Sequence, residues 1–278
     1  MKVSVITIVY NNKACIADCI CSVLSQSYPD IEHIVIDGGS IDGTQEQIAL
    51  FKDKLAYYVS ENDKGLYDAL NKGIRHATGD IIGILHSDDL YYEPETIRKV
   101  VDAFQQSEAD LVYANGQYIS AGGDLQPVST KQEAEGEKSG LQVRVSDVRN
   151  EVKRIYRARP FKKQYLMFGW IPLHTTIYVR RELFQKYGLY DTQYQIASDY
   201  EISLRWFFNE TIKKVYLNEW VVKMRLGGKS TSASLQKKKS TEDLVIIRQY
   251  HLWGVVTLAG KIVWKIPQYL LPKIVTYK

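Results

Sequence analysis

Two hydrophobic rhythms alternate along the chain. Short apolar, β-branched runs predict strands, and the stretches between them carry apolar residues at helical spacing. Val3–Val9 is the first strand, broken by Tyr10-Asn11-Asn12 and followed by a helix over Ala14–Ser25. Glu32–Ile36 is a second strand that ends at Asp37, and Asp42 or Thr44 caps a helix running to Phe51. Leu55–Ser60 predicts a strand, Leu66–His76 a helix, and Ile81–Leu85 a fourth strand that stops abruptly at His86-Ser87-Asp88-Asp89. A helix over Pro94–Gln105 and a short strand over Leu111–Ala114 follow. Such alternation with short connections predicts a mostly parallel central sheet flanked by helices, an α/β fold.

The rhythm lapses over Gly122–Glu151, where Gly, Lys, Glu, Ser and Gln dominate; this reads as an exposed excursion rather than a domain boundary. Helices are expected over Arg181–Tyr187 and Ser198–Phe208, a strand over Lys214–Leu217 and a flexible turn at Gly227–Ser230. The last apolar stretch, Leu252–Val275, is punctuated by Lys261, Lys265, Pro267, Pro272 and Lys273. A membrane span wants about 20 residues with few charges, so this stretch falls short of one. A basic amphipathic segment bearing Trp and Tyr suits a membrane interface instead, with a helix packed on the body as the other reading.

Length and charge refine this picture. The chain has 278 residues, 45% of them hydrophobic, enough for one large domain with or without an appendage. The net charge of +4 gives no argument for nucleic acid. From Thr231 onward eight Lys and Arg stand against Glu242 and Asp243, a surplus of +6 that leaves −2 on residues 1–230. That surplus favours the interface reading, because anionic lipid attracts such tails. Cys15, Cys19 and Cys21 are too few and too crowded for a disulfide framework and read as free thiols of a reducing compartment. Met1-Lys2 runs straight into the first strand with no signal-peptide pattern, so the expected location is cytoplasmic.

In a parallel sheet the polar ends Thr7–Asn11, Asp37 and Asp88-Asp89 fall on one edge, where α/β folds bind ligands. Adjacent carboxylates there suit a divalent cation that also carries phosphate, or else they are solvated turn residues. Asp37-Gly38-Gly39-Ser40 reads singly as a turn, and with the acidic pair as the outline of a nucleotide-diphosphate site. Neither a Gly-x-x-x-x-Gly-Lys-Ser/Thr nor a Gly-x-Gly-x-x-Gly pattern occurs, which disfavours P-loop and dinucleotide folds.

Four ordered segments carry a family resemblance: 3–12 (Val-Ser-Val-Ile-Thr-Ile-Val-Tyr-Asn-Asn), 36–44 (Ile-Asp-Gly-Gly-Ser-Ile-Asp-Gly-Thr), 60–74 and 79–89. The chain resembles the family 2 glycosyltransferases with a GT-A fold, closest to those that build bacterial cell-surface polysaccharides. The resemblance implies a GT-A domain over 1–230, with a nucleotide-binding half to 115 and an acceptor-binding half from 116, followed by a C-terminal helical tail over 231–278. It implies that Thr7, Tyr10, Asn11 and Asp37 hold the nucleoside, that Lys64, Gly65 and Asn71 line the pocket, and that His86-Ser87-Asp88 occupies the family's Asp-x-Asp motif. Asp88 is then the ligand for Mn²⁺ or Mg²⁺, with Asp89 in support, and His86 departs from the family's first carboxylate. Asp199 would be the general base, with helix capping as its alternative role and Glu201 as the competing base. Trp170, His174 and Thr175 fall where acceptor-binding residues stand. Arg225 with Gly227–Ser230 resembles a loop closing over the diphosphate, where Lys229 could also assist. The implied activity is inverting transfer from a nucleotide diphosphate-sugar, a UDP-sugar first, to a glycan or lipid-linked acceptor. A nucleotidyltransferase and a non-catalytic nucleotide-sugar-binding protein are the rival classes.

Overall fold

The computed structural model describes residues 1–120, 151–226 and 233–274. All but the last residue of the 122–151 excursion, and the whole of Gly227–Ser230, lie outside the described residues.

The founding strand β1 (Val3–Val9) is buried at every position because it sits inside the sheet with a helical layer on each face. β2 (Ile31–Asp37) and β3 (Tyr57–Ser60) follow it on one side and β4 (Ile81–Ile84) on the other, all parallel. The register sets Val9 opposite Asp37 and Asp37 opposite Ser60, so three strands finish level at one edge. Helix α1 (Lys13–Leu24) buries Ile16, Cys19, Ile20 and Val23, one stripe at i, i+3, i+4 and i+7. The connections β2–β3 and β3–β4 carry α2 (Thr44–Ala49) and α3 (Leu66–His76).

Beyond β4 the sheet turns mixed. The full order is β3-β2-β1-β4-β8-β6-β9-β5, where β5 is Leu90–Tyr91, β6 Leu111–Ile119, β8 Ile177–Arg180 and β9 Lys214–Arg225; β7 (Val152–Tyr156) pairs with β6. β8 runs antiparallel between β4 and β6, while β6 and β9 are parallel. The parallel expectation therefore describes the first half of the sheet. β6 and β9 outrun the predicted strands because polar residues continue them. The buried Asn115 accepts from the Ala158 N–H (2.8 Å) and the Tyr216 hydroxyl (3.0 Å), so it sits in mid-strand without a stranded polar group. β6 also crosses the division drawn at 115/116.

α4 (Thr96–Ser107) shares one face of the sheet with α1, over a core that includes Val5, Val100, Phe104 and Tyr178. The opposite face holds α3, α6 (Arg181–Tyr187) and α7 (Ser198–Phe208), with α5 (Gln164–Met167) nearby; Leu70, Trp206 and Phe207 are central to that core. The C-terminal residues form α8 (Ala233–Gln249), α9 (Val255–Val263) and α10 (Ile266–Ile274). Ile246, Ile247 and Leu252 join the same core as Trp206, so α8 is integral to the body. All three cysteines are free, Cys19 fully buried and the other two half-buried.

Candidate active site

The donor side is built from strand ends. Asp37 is fully buried, and its carboxylate accepts from the Ser40 N–H (3.0 Å) and from the hydroxyls of Ser40 and Ser60 (2.5 Å each). Asn11 adopts φ +49°, a region asparagine tolerates, and from there its N–H reaches Ser40 Oγ (2.7 Å) while its Oδ1 accepts from the Ile41 N–H (2.9 Å). The loop after β2 is thus tied to the end of β1. Gly38 packs against Asp63, where a Cβ would stand 2.6 Å from a carboxylate oxygen, and Gly39 takes φ +80°. Tyr10 is half exposed beside Gly38, and Lys64 and Gly65 stand exposed at the start of α3. Asn12 Nδ2 donates to Ser87 Oγ (2.9 Å), joining this loop to the turn after β4. Tyr10, Asn11, Asp37, Lys64, Gly65, His86, Ser87 and Asp88 therefore share one edge.

Two residues assigned to that pocket do not reach it. Thr7 is fully buried inside the sheet, its hydroxyl 2.9 Å from His33 Nε2, because it points toward the layer that covers β1 and β2. Asn71 donates to the Tyr190 carbonyl (2.8 Å) and accepts from the Tyr190 N–H (3.0 Å), so its amide is a buried strut between α3 and the segment after α6.

At the end of β4 the two carboxylates differ. Asp88 is half exposed, whereas Asp89 is buried with Oδ2 unpartnered. Burial first, and then the charge of Asp88, push the Asp89 carboxyl well up against the opposing influence of Arg225. Arg225 is engaged with α1 in this structure. Its Nη2 donates to Asp18 Oδ2 (2.6 Å) in a pair about one-tenth exposed, which pins the end of β9 to α1; Lys229 lies outside the described residues. No group of three or more His, Cys, Asp or Glu forms a metal cage among the described residues. The donor set nevertheless fits Mg²⁺ or Mn²⁺, since Mg²⁺ is ordinarily held by one or two carboxylates plus substrate phosphates and water. The half-exposed Asp88 offers such a carboxylate at the edge.

The acceptor side begins at α7. Ala197 is the N-cap and makes no side-chain cap, so Asp199 is not the cap residue. Its Oδ1 accepts from the Tyr200 N–H (2.8 Å) and lies 3.2 Å from the Tyr67 hydroxyl, which also reaches the Ile196 carbonyl at 2.8 Å. Burial pushes the Asp199 carboxyl up, but Lys239, His174, Lys261 and the Tyr200 N–H together outweigh it, and the net shift is downward. Glu201 is spoken for: it is 3% exposed, pairs with Arg205 and accepts from the Tyr250 hydroxyl (2.7 Å). The ring of His174 lies 6.0 Å from that of His86 and its Nε2 is 2.6 Å from the Tyr190 hydroxyl. Burial lowers His174 to about 4, so it is neutral at pH 7. Burial also lowers His86, against the raising charges of both Asp88 and Asp199. His86 is thus in electrostatic reach of the donor-side and the acceptor-side carboxylate. Trp170 lies in the core, edge-on to Tyr113, and Thr175 is buried with its hydroxyl on Met224 Sδ (3.4 Å); of the three candidates only His174 joins the site. Lys239 and Lys261 were not legible as site residues, because nothing in the periodicity of the basic tail says which turn of it returns to Asp199.

The sequence profile described as "Glycosyl transferase family 2" matches residues 4–188. An uncharacterised glycosyltransferase of Mycobacterium tuberculosis is 34% identical over 205 residues, covering 73% of this chain and 68% of that protein. A PGL/p-HBAD biosynthesis glycosyltransferase of Mycobacterium bovis is 28% identical over 219 residues, covering 77% and 73%. Among solved structures, the mannosyltransferase PcManGT of Pyrobaculum calidifontis, in complex with GDP-Man and Mn²⁺, superposes with a TM-score of 0.63 at 17% identity over 98% of this chain and 73% of that one. TarS of S. aureus in complex with UDP-GlcNAc does so with 0.59 at 16% identity over 95% and 71%.

Proposed function

Because this chain belongs to glycosyl transferase family 2, and is a glycosyltransferase on that ground, we propose that it transfers a sugar from a nucleoside diphosphate-sugar to an acceptor hydroxyl with inversion at the anomeric carbon. The observation that carries this reading is the run of side chains that joins the two sides: the His86 ring, two residues before Asp88, lies 6.0 Å from that of His174, which meets the Tyr190 hydroxyl at 2.6 Å, and Tyr190 stacks on Tyr67, whose hydroxyl stands 3.2 Å from Asp199 Oδ1. One reacting centre can then be flanked by both carboxylates. Asp199, held ionised by its cationic neighbours, takes the proton as the acceptor oxygen attacks the anomeric carbon, and the bond from that carbon to the diphosphate oxygen breaks. Mn²⁺ or Mg²⁺ on Asp88 would supply Lewis-acid neutralisation of the departing nucleoside diphosphate. The neutral imidazole of His86, standing where the family has a carboxylate, can still hydrogen-bond a ribose or sugar hydroxyl. Tyr10, Asn11 and Asp37, with Lys64 and Gly65 opposite, take the nucleoside. The nucleotide sugars held by PcManGT and TarS support the donor class.

The acceptor reading is a lipid-linked glycan of bacterial surface polysaccharide synthesis, reached at the cytoplasmic face of a membrane. No helix among the described residues is long and apolar enough to cross one. The exposed Val255, Ile262, Val263, Ile266 and Leu270 on α9 and α10 support a helix pair lying in the interface. A screen of nucleotide sugars for thermal stabilisation with and without Mn²⁺, followed by assay of nucleoside diphosphate release, tests the function. A rise in melting temperature that needs both donor and metal, together with slow donor hydrolysis, is expected. Stabilisation by free sugars or sugar phosphates alone would refute it.

A further inference from the structure

The two oxygens of the Asp199 carboxylate are not equivalent. Asp199 is half-buried at the second position of α7. Its Oδ1 accepts from the Tyr200 N–H (2.8 Å) and from the Tyr67 hydroxyl (3.2 Å). Among the described residues Oδ2 takes no hydrogen bond, so it is the oxygen left open to an incoming hydroxyl. The backbone donor belongs to α7 itself. The other donor comes from α3, the helix that starts beside Lys64 and Gly65 on the donor edge, with the Lys64 N–H on Asp68 Oδ2 at 3.0 Å. Asp199 is therefore oriented from the helix on which the donor pocket is built.

Tyr67 is held firmly enough to aim a carboxylate. It is buried, and its ring stacks on that of Tyr190 with centroids 5.6 Å apart and planes 16° from parallel. Tyr190 is fixed in turn at both ends. Asn71, one turn further along α3, bonds its N–H (3.0 Å) and its carbonyl (2.8 Å), and its hydroxyl meets His174 Nε2 at 2.6 Å. The Tyr67 hydroxyl has one proton and two acceptors, the Ile196 carbonyl at 2.8 Å and Asp199 Oδ1 at 3.2 Å. From the other side Glu242 of α8 accepts from the N–H groups of Gln195 (3.0 Å), Ile196 and Ala197 (2.9 Å each), so the backbone that leads to Asp199 is clamped between α3 and α8. The double acceptor suits a base. An ionised Asp199 draws on the Tyr67 proton, and once the carboxyl is protonated and that bond weakens, the Ile196 carbonyl keeps the phenol satisfied. Burial, and then the charge of Asp199, push the Tyr67 phenol well above its ordinary value, so it serves as a donor and not as a competing base.

We propose that Tyr67 is a positioning residue of the transfer step: its hydroxyl holds Asp199 Oδ1 from α3, so that Oδ2 faces the acceptor and takes its proton as the acceptor oxygen bonds to the anomeric carbon. This rests on the reading of Asp199 as the base and assigns which of its two oxygens works. The proton gained by Oδ2 is the acceptor's, and the Tyr67 proton stays on the phenol throughout.

The test uses the full chain with Mn²⁺ and the nucleotide sugar that stabilises it most in the screen above, UDP-GlcNAc and GDP-Man among those tried. It follows steady-state release of nucleoside diphosphate, with water standing in for the acceptor hydroxyl. Tyr67→Phe keeps the buried ring and its stack on Tyr190, and is expected to lower kcat about tenfold while KM for the nucleotide sugar stays within about twofold. In an Asp199→Asn background the same change is expected to cost less than about twofold, because no proton acceptor is left to aim. Tyr67→4-aminophenylalanine, whose amino group still donates, is expected to restore kcat to within about threefold. Circular dichroism and melting temperature check each fold. Equal losses in the two backgrounds would make Tyr67 a strut for the Ile196 carbonyl alone. An undiminished kcat in Tyr67→Phe, or a folded 4-aminophenylalanine variant that fails to restore it, would mean that the hydroxyl aims nothing. A Tyr67→Phe chain that does not fold would make the hydroxyl structural before anything else. Each of these results overturns the proposal and leaves the base reading standing, whereas a wild-type rate in Asp199→Asn overturns the base reading and the proposal with it. A wild type that releases nucleoside diphosphate from none of the nucleotide sugars screened overturns the function itself.

Discussion

Replacing Asp199 by Asn isolates the chemistry from the fold. The amide keeps an oxygen for the Tyr200 N–H, now 2.8 Å away, and for the Tyr67 hydroxyl at 3.2 Å, so the start of α7 has what it needs. What disappears is the proton acceptor and one negative charge opposite Lys239 and His174. Loss of a positioned base costs about 10²–10⁴-fold in rate, which is about 3–5 kcal/mol on the barrier at ~1.4 kcal/mol per decade. The readout is nucleoside diphosphate released per second from the donor that stabilises the wild type, alongside nucleotide affinity, which is expected to hold. The pH dependence carries a sign as well. Because the Asp199 carboxyl is held below its ordinary value, it stays ionised as pH falls through the usual carboxylate range and is lost only beneath it. The wild-type kcat/KM profile therefore has no acid limb from this group near neutrality, and Lys239→Gln, leaving burial less opposed, moves that limb upward. Near wild-type release by Asp199→Asn refutes the assignment. If Glu201→Gln abolished transfer instead, the base would be Glu201, although its pairing with Arg205 and Tyr250 predicts a loss of stability, up to the ~3–5 kcal/mol of a broken buried pair.

Three further outcomes separate metal, strut and packing roles. Asp88→Asn is expected to abolish the extra thermal stabilisation that Mn²⁺ adds to UDP, as EDTA does for the wild type; differential scanning fluorimetry decides, and an undiminished Mn²⁺ effect would move the metal elsewhere. Asn71→Ala strands the Tyr190 N–H and carbonyl that Asn71 now satisfies at 3.0 and 2.8 Å; at about 1–3 kcal/mol per buried orphan it should lower the urea midpoint while leaving UDP affinity in place. A large loss of UDP affinity from a stable Asn71→Ala protein would return Asn71 to the pocket. Gly83→Ala places a Cβ 2.5 Å from Cε1 of the Tyr178 ring, which is 1% exposed and has nowhere to go, so a cost of about 1–3 kcal/mol is expected in chemical denaturation; an unchanged midpoint would mean that the β4–β8 pairing yields.

Legibility followed the range of the interactions. The first parallel half of the sheet was readable because each strand is a continuous β-branched run closed by a turn, as at Val3–Val9 and Ile81–Ile84. The edge shared by Asp37 and Asp88-Asp89 was readable because in a parallel sheet the strand ends must lie together, whatever the packing, whereas His86 and Ser87 were singled out only by the family resemblance. The antiparallel insertions were not readable. β8 is four residues long and β7 mixes charged with apolar residues, so neither shows a rhythm until Asp110, Arg180 and their neighbours pair.

Local sequence thus determined the alternation of strands and helices, the edge where ligand chemistry gathers, and the apolar basic character of the last forty-odd residues. Tertiary structure decided which of the named side chains face that edge. Thr7 and Asn71 turn inward because His33 and the Tyr190 backbone consume their polar atoms, and Glu201 is withdrawn by Arg205. It also decided that the C-terminal helices return to Asp199, since the contacts of Glu242 with residues 195–197 and of Lys261 with Asp243 bring together parts of the chain that no local pattern links. Periodicity reports which face of an element is apolar; only the folded chain reports what that face meets.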